Sequence, residues 1–428
     1  MALGETQSKH KIAKQNMSKY VLEEVIGERL EQEFIDLPKK LYKDCKYWVC
    51  PLDGDIRGVF NTEKNRLFNG GEAIRWIARD AEGKAVGRIA AFYNREQAAI
   101  EEQPTGGCGF FESIDSQEVA NLLFDKAKEW LISKGMEAMD GPVNFGSRDE
   151  WWGLLVEGFE SKPLYANPYN PPYYQQLFEN YGFKVYFNQH TYSRELVVNE
   201  LNERVYNRVK RLEESGEYHF RHITKDDFDT LPEIFRTIYN KAWAHFPGVR
   251  PFSKEDTQKM FNTMKLIIDP HLIYLAFHKG EPIGFYIMVP DLNKGIGDFN
   301  GKLNLLNTLR LLYRIKTKKL DRIFAIIFAV TPEYQGRGIE SGIINCFEQT
   351  VKAGKCKQYK EMELAWMGDF NPVMMRMVES YVNAKRHKRH ITYRLLFDPN
   401  KEFKRCPRLM SARDAAAKRA AEKEEQNN

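Results

Sequence analysis

Two pairs of similar segments recur in the sequence at a separation of about 200 residues. IRWIARDAEGKAVGRIAAFYN (74–94) and LIYLAFHKGEPIGFYIMVPD (272–291) both have the pattern of a strand, a glycine-containing turn and a second strand. YNPPYYQQLFENYGF (169–183) and FNPVMMRMVESYVN (370–383) both open with aromatic-Asn-Pro, in which Asn can cap a helix and Pro suits its first position. Because the matches occur in the same order, they predict a duplicated fold; chance similarity between common hairpins is the alternative.

The second copy shows the order of elements more clearly. A strand near 218–223, a helix pattern and the hairpin precede an apolar strand at 323–330. A glycine turn, a helix at about 340–353, the strand MELAWM, the Asn-Pro helix and the strand HITYRLLF follow. This order is typical of an α/β fold around a mixed sheet. The predicted organisation is a polar tail at 1–20, a first domain at 21–212, a second domain at 213–400 with an insertion at 292–322, and a charged tail at 401–428.

The composition fits a globular protein, since 428 residues with 43% hydrophobic and 13% aromatic content suffice for packed cores. The formal net charge of +5 is small for this length and does not imply nucleic-acid binding. The six cysteines form no CxxC pair and no His/Cys cluster, and the N-terminus has no apolar leader segment. We therefore expect a reduced, cytoplasmic protein without a bound metal. No stretch approaches the roughly 20 apolar residues that span a bilayer, so any membrane contact is expected to be peripheral.

The segment RIFAIIFAVTPEYQGRGIESGIINCFEQTV (322–351) has the pattern of a buried strand, a turn with two glycines and a helix. Glycines let successive backbone N–H groups point into one concavity, and the helix that follows adds unpaired N–H groups and the positive end of its dipole. A pyrophosphate group fits such a concavity. Glycine turns also join strands to helices for purely geometric reasons in many folds.

The order of elements around Gln335-Gly336-Arg337-Gly338 resembles the GNAT superfamily of acyl-CoA N-acyltransferases, whose loop reads Gln/Arg-x-x-Gly-x-Gly/Ala. The resemblance covers roughly 215–397. It implies two tandem GNAT-like domains, each a mixed, mostly antiparallel sheet flanked by helices, the first of them degenerate. It also implies acyl-CoA as co-substrate, with its pantetheine arm at the strand end and its pyrophosphate in the loop. The residues so implied are Val330, Thr331, Gln335, Gly336, Arg337, Gly338 and Ile339, and Asn371 at the start of the late helix is predicted to join them.

Two positions depart from the family pattern. Glu340 stands where Gly or Ala is expected, and a carboxylate there would compete with phosphate for the helix dipole. If it points outward it stabilises the helix start and leaves the site open; if it points inward the site is redirected or dead. The Tyr that protonates the leaving thiolate in many family members corresponds to Phe178 in the first half and lies near Val378 in the second. Tyr381, one turn later, is predicted as a substrate contact.

The stretch DGPVNFGSRDEWWGLLVEGFESKPLYANPYNPPYY (140–174) is dense in glycine, proline, aromatic and acidic residues. Loops of this length and composition are seldom filler, and an acid that faces a Trp wall has a raised pKa, in the range useful for a base. Asp149 and Glu150 are therefore candidate catalytic acids or bases. The predicted substrate contacts here are Asn144, Ser147, Trp151 and Trp152. An ordered loop packed by its Trp residues is the alternative.

In the second half, YNKAWAHFPGVRPFS (239–253) falls between the first two helices, where GNAT-like enzymes bind the acceptor amine. The plausible substrate contacts are Tyr239, Asn240 and Trp243. His245 titrates near neutrality and is a candidate base for the amine proton, although a lone His is more often a packed or surface residue.

An insertion separates the third and fourth strands of the second copy, where GNAT folds commonly have a short turn. Within 302–322, apolar residues recur at helical spacing beside basic ones. The apolar positions are Leu305, Leu306, Leu309, Leu312 and Tyr313, and the basic ones are Arg310, Arg314, Lys316, Lys318 and Lys319. An amphipathic basic helix suits anionic lipid headgroups and predicts peripheral contact with the inner face of a membrane. A helix packed on the domain with a solvated basic face is the alternative.

The sequence therefore favours an N-acyltransferase in which an amine attacks a bound acyl thioester and coenzyme A leaves as thiolate. The tandem layout, the DGPVNFGS-x-DEWWGLLVEGF stretch and the insertion resemble a bacterial family that includes bacterial ceramide synthases. This resemblance implies a sphingoid long-chain base as the lipid amine acceptor and a (dihydro)ceramide as product. Acyl carrier protein is an alternative donor. A non-catalytic GNAT-like protein that binds a lipid or partner, and a tandem-GNAT aminoacyl transferase, are the competing interpretations; the modest net charge gives no clear track for RNA.

Overall fold

The structure, a computed structural model, describes residues 19–197, 203–243 and 251–409. In these residues the strands form a single mixed sheet. The strands are β1 (Val21–Glu24), β2 (Gly71–Arg79), β3 (Ala85–Asn94), β4 (Thr105–Ser113), β5 (Ala138–Gly141), β6 (Leu154–Glu157), β7 (Lys184–Glu195), β8 (Tyr218–His222), β9 (Ile273–His278), β10 (Glu281–Pro290), β11 (Arg322–Val330), β12 (Glu361–Gly368) and β13 (Lys385–Leu396).

Helices cover both faces of the sheet. They are α1 (Gly27–Leu41), α2 (Asp53–Val59), α3 (Arg95–Ala98), α4 (Gln117–Ser133), α5 (Tyr174–Tyr181), α6 (Glu203–Glu214), α7 (Leu231–Trp243), α8 (Lys254–Met264), α9 (Asn293–Ile296), α10 (Leu305–Lys316), α11 (Ile339–Lys352) and α12 (Pro372–Met377). In the second half, α11 packs in one apolar core with β11 and β12, whereas α7 and α8 pack in another core with alternate residues of β9 and β10. The α/β architecture predicted from the sequence is confirmed.

The strand order is symmetric about the centre of the sheet, as a duplication predicts. From either edge, five strands of one half follow in chain order, and the last strand of the other half comes next. The order is β1-β2-β3-β4-β5-β13-β7-β12-β11-β10-β9-β8, with β6 pairing to β13 beside this path. Each half has its own parallel pair, β4 with β5 and β11 with β12, and the other pairs are antiparallel. The two halves exchange their last strands: β7 of the first half pairs with β12, and β13 of the second half pairs with β5.

The two Asn-Pro segments fold differently. In the second half Asn371 caps α12, where its side chain accepts a bond from the backbone N of Met374 at 3.3 Å, and Pro372 follows as predicted. In the first half α5 begins only at Tyr174. There the buried Asn170 amide instead bonds both backbone groups of Leu155, at 2.7 and 3.1 Å. The predicted cap at this position is therefore wrong, because the tertiary contact takes up the amide.

A network of buried charges lies where the halves meet. The Arg322 guanidinium donates to Asp291 with Nε at 2.8 Å, and its Nη1 lies 3.4 Å from the Glu363 carboxylate. Lys388 of the exchanged strand β13 donates to the other Glu363 oxygen at 2.6 Å, and Thr191 of β7 donates there at 3.0 Å. Burial alone would raise the pKa of Glu363, but Lys388 and Arg322 hold it below its usual range. The network joins β7, β11, β12 and β13.

We expect Lys388→Met to lower the free energy of unfolding by about 3–5 kcal/mol, because Glu363 would stay buried without its nearest cation. Lys360→Met is the matched control: Lys360 is 80% exposed, lies 3.1 Å from Asp321 and should contribute less than about 1 kcal/mol. Urea unfolding of both variants measures the difference. Equal losses in the two would contradict the importance of the buried network.

Candidate functional site

The parallel strands β11 and β12 separate at the carboxyl-terminal edge of the sheet. Their pairing runs from Arg322 opposite Glu361 to Ala325 opposite Leu364. Ile326 is the extra residue of a bulge, because Met288 of β10 pairs with Ala325 while the adjacent Ile287 pairs with Ile327. Beyond the bulge the described residues of the two strands no longer pair. The residues that follow on both strands are half-buried and flank the gap between the separated strands, which we call the groove: Ile326, Ile327 and Phe328 on β11, and Ala365, Trp366 and Met367 on β12.

The equivalent place in the first half is closed. After the paired segment of β4 and β5, the backbone N of Val143 still bonds the carbonyl of Cys108 at 2.8 Å. Gly109 allows this close approach, because a Cβ atom there would overlap the carbonyl oxygen of Val143. Ser116 caps α4 directly, without a glycine turn before it. The groove and the turn therefore occur together in the second half.

The predicted cofactor residues of the glycine turn lie together between β11 and α11. Gln335 Nε2 donates to the Val330 carbonyl at 3.0 Å and closes the turn, while Thr331 N donates to Ile283 of β10 at 2.9 Å. Gly336 and Gly338 adopt φ values of 73° and 95°, in the region that favours glycine. Ile339 begins α11, and Arg337 is exposed with its guanidinium over the Tyr334 ring. Asn371 lies at the same edge of the sheet, but its amide caps α12.

Glu340 points into the turn. Its carboxyl group faces the backbone N–H groups of Gly336 and of Glu340 itself. Burial raises the pKa of Glu340, and these N–H groups and the Arg208 guanidinium oppose that rise. Of the two orientations considered from the sequence, the structure shows the inward one. An anionic ligand of the turn therefore competes with this carboxylate for the same donors.

The long loop of the first half reaches the groove of the second. Trp366 of β12 donates its indole N–H to the carbonyl of Arg148 at 3.0 Å. Asp149 is close enough to Tyr239 of α7 that, together with burial, it raises the pKa of that phenol to about 12. The Asp149 side chain is exposed and lies 3.2 Å from the Ser147 hydroxyl, which donates to it. Predicted residues from both halves thus meet on the α7 side of the groove.

A second, unpredicted pair of residues completes an acidic cluster around Glu150. Burial, Asp55 and Asp149 together raise the pKa of Glu150 to about 7. The Tyr165 hydroxyl donates to Asp55 at 2.6 Å, and burial raises the pKa of Asp55 as well. A carboxyl with a pKa near neutrality can both take up and release a proton at physiological pH. No local pattern marks Asp55, since it lies in an ordinary first turn of α2 and meets Glu150 only through the fold.

Three side chains of this loop, one buried and two half-buried, offer buried polar atoms that have no hydrogen-bond partner in the described part of the chain. They are both amide atoms of Asn144 and the indole N–H groups of Trp151 and Trp152. Asn144 is only 3% exposed. Buried polar groups are normally paired, so unpaired ones grouped in a single loop indicate a place for water or a ligand. These three were predicted as substrate contacts, and that role stays a prediction.

The remaining predicted residues divide between the faces of the sheet. Tyr239 stacks on Trp243 with ring centroids 4.7 Å apart. The Asn240 amide both donates to and accepts from the backbone of Phe252, at 3.0 and 2.8 Å, and so holds the chain before α8. Tyr381 packs on the α11 side of the sheet and is not brought together with Tyr239. His245 lies outside the described residues.

The insertion forms α9 and α10, and α10 turns its apolar stripe outward. Leu311 packs toward a small core that includes Leu52 of the first half, and Arg314 donates to Asp298 at 2.6 Å. The outward residues are exposed by 49 to 78%, and they are Leu303, Leu305, Leu306, Leu309 and Tyr313. A helix packed on the domain was the alternative to a membrane-facing helix, and only the face of α10 opposite these residues packs on the domain. Within the described ranges, no helix is long and apolar enough to cross a bilayer.

No residue cluster of the described chain has the arrangement of three or more His, Cys, Asp or Glu side chains that holds a metal ion. The groups that surround the groove are instead carboxylates, phenols, indoles and backbone amides. Such groups can bind and orient substrates and move protons.

Known proteins resemble this chain along most of its length. No family model matches it. Protein YghO of Escherichia coli (strain K12) is 27% identical over 367 residues, which are 84% of this chain and 91% of that protein. The bacterial ceramide synthase of Caulobacter vibrioides (strain NA1000 / CB15N) is 26% identical over 372 residues, 85% of this chain and 94% of that protein.

A solved structure shows the same architecture. The tandem GNAT protein from the clavulanic acid biosynthesis pathway superposes with a TM-score of 0.50 at 11% identity, over 89% of this chain and 99% of that one. At this identity the likeness concerns the fold alone. The chain thus has a tandem GNAT fold and is similar, over most of its length, to a bacterial ceramide synthase.

Proposed function

We propose that this protein is an N-acyltransferase that moves a fatty acyl group from a thioester to the amine of a sphingoid long-chain base. The observation that carries the proposal is the meeting of two features: an open groove with a glycine turn in the second half, and an acidic cluster brought to it by the first half. The similarity to a bacterial ceramide synthase supports the lipid class of the acceptor.

The groove between β11 and β12 suits the donor. Its strand ends expose backbone beyond Ala325 and Leu364, so the pantetheine arm of a thioester can pair with the main chain there. The glycine turn lies at the same edge, where the pyrophosphate of acyl-CoA would meet the N–H groups at the start of α11. An acyl carrier protein would present the same arm with a single phosphodiester, and donor assays separate these two sources.

The acidic cluster suits a cationic amine. Glu150, with a pKa of about 7, takes the proton from the bound ammonium group, and Asp55 and Asp149 add negative charge beside it. The neutral amine then attacks the thioester carbonyl, the new C–N bond forms, and the C–S bond breaks. As the amide forms, the nitrogen loses a second proton, and water carries that proton to the departing thiolate of coenzyme A. Water takes this part because Phe178 and Val378 stand where the family acid would be.

Apolar residues beside the groove suit a lipid tail. Leu164 of the first half packs with Val289 and Phe324, and the half-buried Ile326 and Ala365 extend this cluster toward the open strand ends. A hydrocarbon chain that covers these residues removes from water both its own apolar surface and that of the protein. The exposed stripe of α10 gives such a substrate a route from a membrane, because exposed leucines flanked by lysines suit an anionic leaflet. We propose peripheral contact with the inner face of the membrane through this helix.

One observation favours a second candidate function. The Glu340 carboxyl group lies near the backbone N–H groups of Gly336 and Glu340 in the glycine turn. A GNAT-like protein that binds a lipid or partner without catalysis would need no phosphate there. Donor binding is what separates the two candidates.

The full chain, incubated with a long-chain acyl-CoA and sphinganine, is expected to form an amide that mass spectrometry detects, with release of free thiol in equal amount. Thermal stabilisation by CoA, acyl-CoA and acyl carrier protein identifies the donor. The absence of both product and stabilisation, for every donor tried with lipid acceptor present, would leave the non-catalytic function as the better account.

The rate should depend on pH through Glu150. As a base it must be deprotonated, and its pKa is raised to about 7, so kcat/KM should fall tenfold per pH unit below neutrality. Asp55→Asn should move this acid limb to lower pH, because the Asp55 charge is one cause of the raised pKa. Glu150→Gln should reduce kcat far more than it changes KM for the acyl donor. An unchanged acid limb in Glu150→Gln would assign the base elsewhere.

Charge reversal at the end of α10 and in the residues just after it should weaken membrane binding. Lys316, Lys318 and Lys319 are exposed, and each contributes about 1 kcal/mol of attraction to an anionic surface at low salt. Changing all three to Glu should therefore reduce binding to phosphatidylserine vesicles more than tenfold in sedimentation. Arg310 and Arg314 stay unchanged because they pair with Asp298.

The matched control reverses Lys352, Lys355 and Lys357, three exposed lysines at and beyond the end of α11. It changes the net charge equally but should leave vesicle binding close to that of the parent. With α10 reversed, turnover of vesicle-embedded sphinganine should slow, whereas a short water-soluble amine should react as before. Equal losses in both triple variants would mean that net charge alone, and not α10, directs the protein to the surface.

A further inference from the structure

The Glu340 carboxyl group lies beside the positive end of α11. The backbone N–H groups of Gly336 and Glu340 face the Glu340 carboxyl, at a turn whose two glycines have left-handed φ values. Backbone N–H groups at a glycine turn before a helix favour an anionic group, and the nearby carboxyl is consistent with this. The exposed faces of Gln335, Gly336 and Arg337 leave the turn open to solvent. A larger anion can therefore reach it.

A cation from another element lies over the same turn. Arg208 belongs to α6, the helix that joins the two halves, and α6 is fixed there by the buried Val205 and Val209. The aliphatic stem of Arg208 covers Gly338: a Cβ atom built on Gly338 would overlap Cδ, lie 2.7 Å from Cγ and lie 3.5 Å from Nε. Arg208 is exposed, and its charge acts on Glu340, whose pKa it lowers.

We propose that Arg208 binds the phosphate groups of the thioester donor, and that Glu340 is an internal competitor that leaves the turn when the donor arrives. The inference rests on the proposed function and names two residues outside the implied loop set. A diphosphate offers more acceptor oxygens and more charge than one carboxylate, and a guanidinium can hold two of those oxygens at once. Exchange of carboxylate for diphosphate therefore keeps the N–H groups satisfied and gives Arg208 a stronger partner.

The placement of Arg208 has a consequence for the donor site. Because α6 follows β7 and precedes β8, the site is completed by the connection between the halves and not by the second half alone. The loop 144–152 brings first-half residues to the acceptor side of the groove. In the same way, Arg208 brings a residue of the connecting helix α6 to the donor side of the groove.

Calorimetry with CoA, and with pantetheine as a probe that lacks the diphosphate, tests the proposal on the full chain. Arg208→Gln should weaken CoA binding about tenfold to a hundredfold and leave pantetheine binding unchanged. Glu340→Gln keeps the shape of the side chain, removes its charge, and should strengthen CoA binding. Arg211→Gln is the matched control, since Arg211 is exposed on the same helix about one turn from Arg208. It should bind CoA as the parent does.

The double variant Arg208→Gln/Glu340→Gln separates two roles for Arg208. If Arg208 contacts phosphate, its loss weakens CoA binding equally with Glu340 or Gln at position 340. An effect that disappears in the Glu340→Gln background would mean that Arg208 acts only on the carboxylate, and this would overturn the proposal. Equal CoA affinity of the parent and Arg208→Gln would also overturn it while leaving the proposed function intact. A parent and a Glu340→Gln variant that both fail to bind CoA would remove the CoA donor itself and this inference with it.

Discussion

The pairing of β7 with β13 is the constraint on which the rest of the structure depends. The two strands run antiparallel from Lys385 opposite Ser193 to Arg394 opposite Lys184, at the centre of the sheet. Each is the last strand of its own half and pairs outward with the other half. Since neither half can complete its sheet without the other, the halves are held at a fixed distance. The buried network of Arg322, Glu363 and Lys388 fixes the same junction with charge.

Duplication followed by divergence would explain how one groove could hold both proposed substrates. Both halves keep the parallel strand pair, but Gly109 lets Val143 close the first copy, whereas the Ile326 bulge opens the second. The loop after β5 is then free to leave its own half and contact Trp366 across the junction. In the proposed reaction, one half supplies the place for the thioester and the other supplies the groups that receive the amine.

The electrostatic arrangement follows the chemistry of the two proposed substrates. Carboxylates surround the place of a cationic amine, and their mutual repulsion and burial hold the pKa of Glu150 near 7. Backbone N–H groups and Arg208 surround the place of the proposed anionic donor, and the Glu340 carboxyl group lies beside them. Opposite fields at the two ends of one groove favour binding of the two substrates in one orientation.

The sequence by itself determined the elements with strong local patterns. These elements are the hairpins, the strand and turn before α11, and the amphipathic α10. Periodicity and glycine placement predict them because these signals lie within a short stretch of sequence and do not depend on distant partners. Only the tertiary structure decided the exchange of β7 and β13, because strand pairing joins residues about 200 positions apart and many registers satisfy the same alternation. It also decided that Glu340 points inward, that Asp55 meets Glu150, and that Arg208 covers Gly338. The residues adjacent in sequence do not predict these contacts, because burial and the distance between charges are set by tertiary packing.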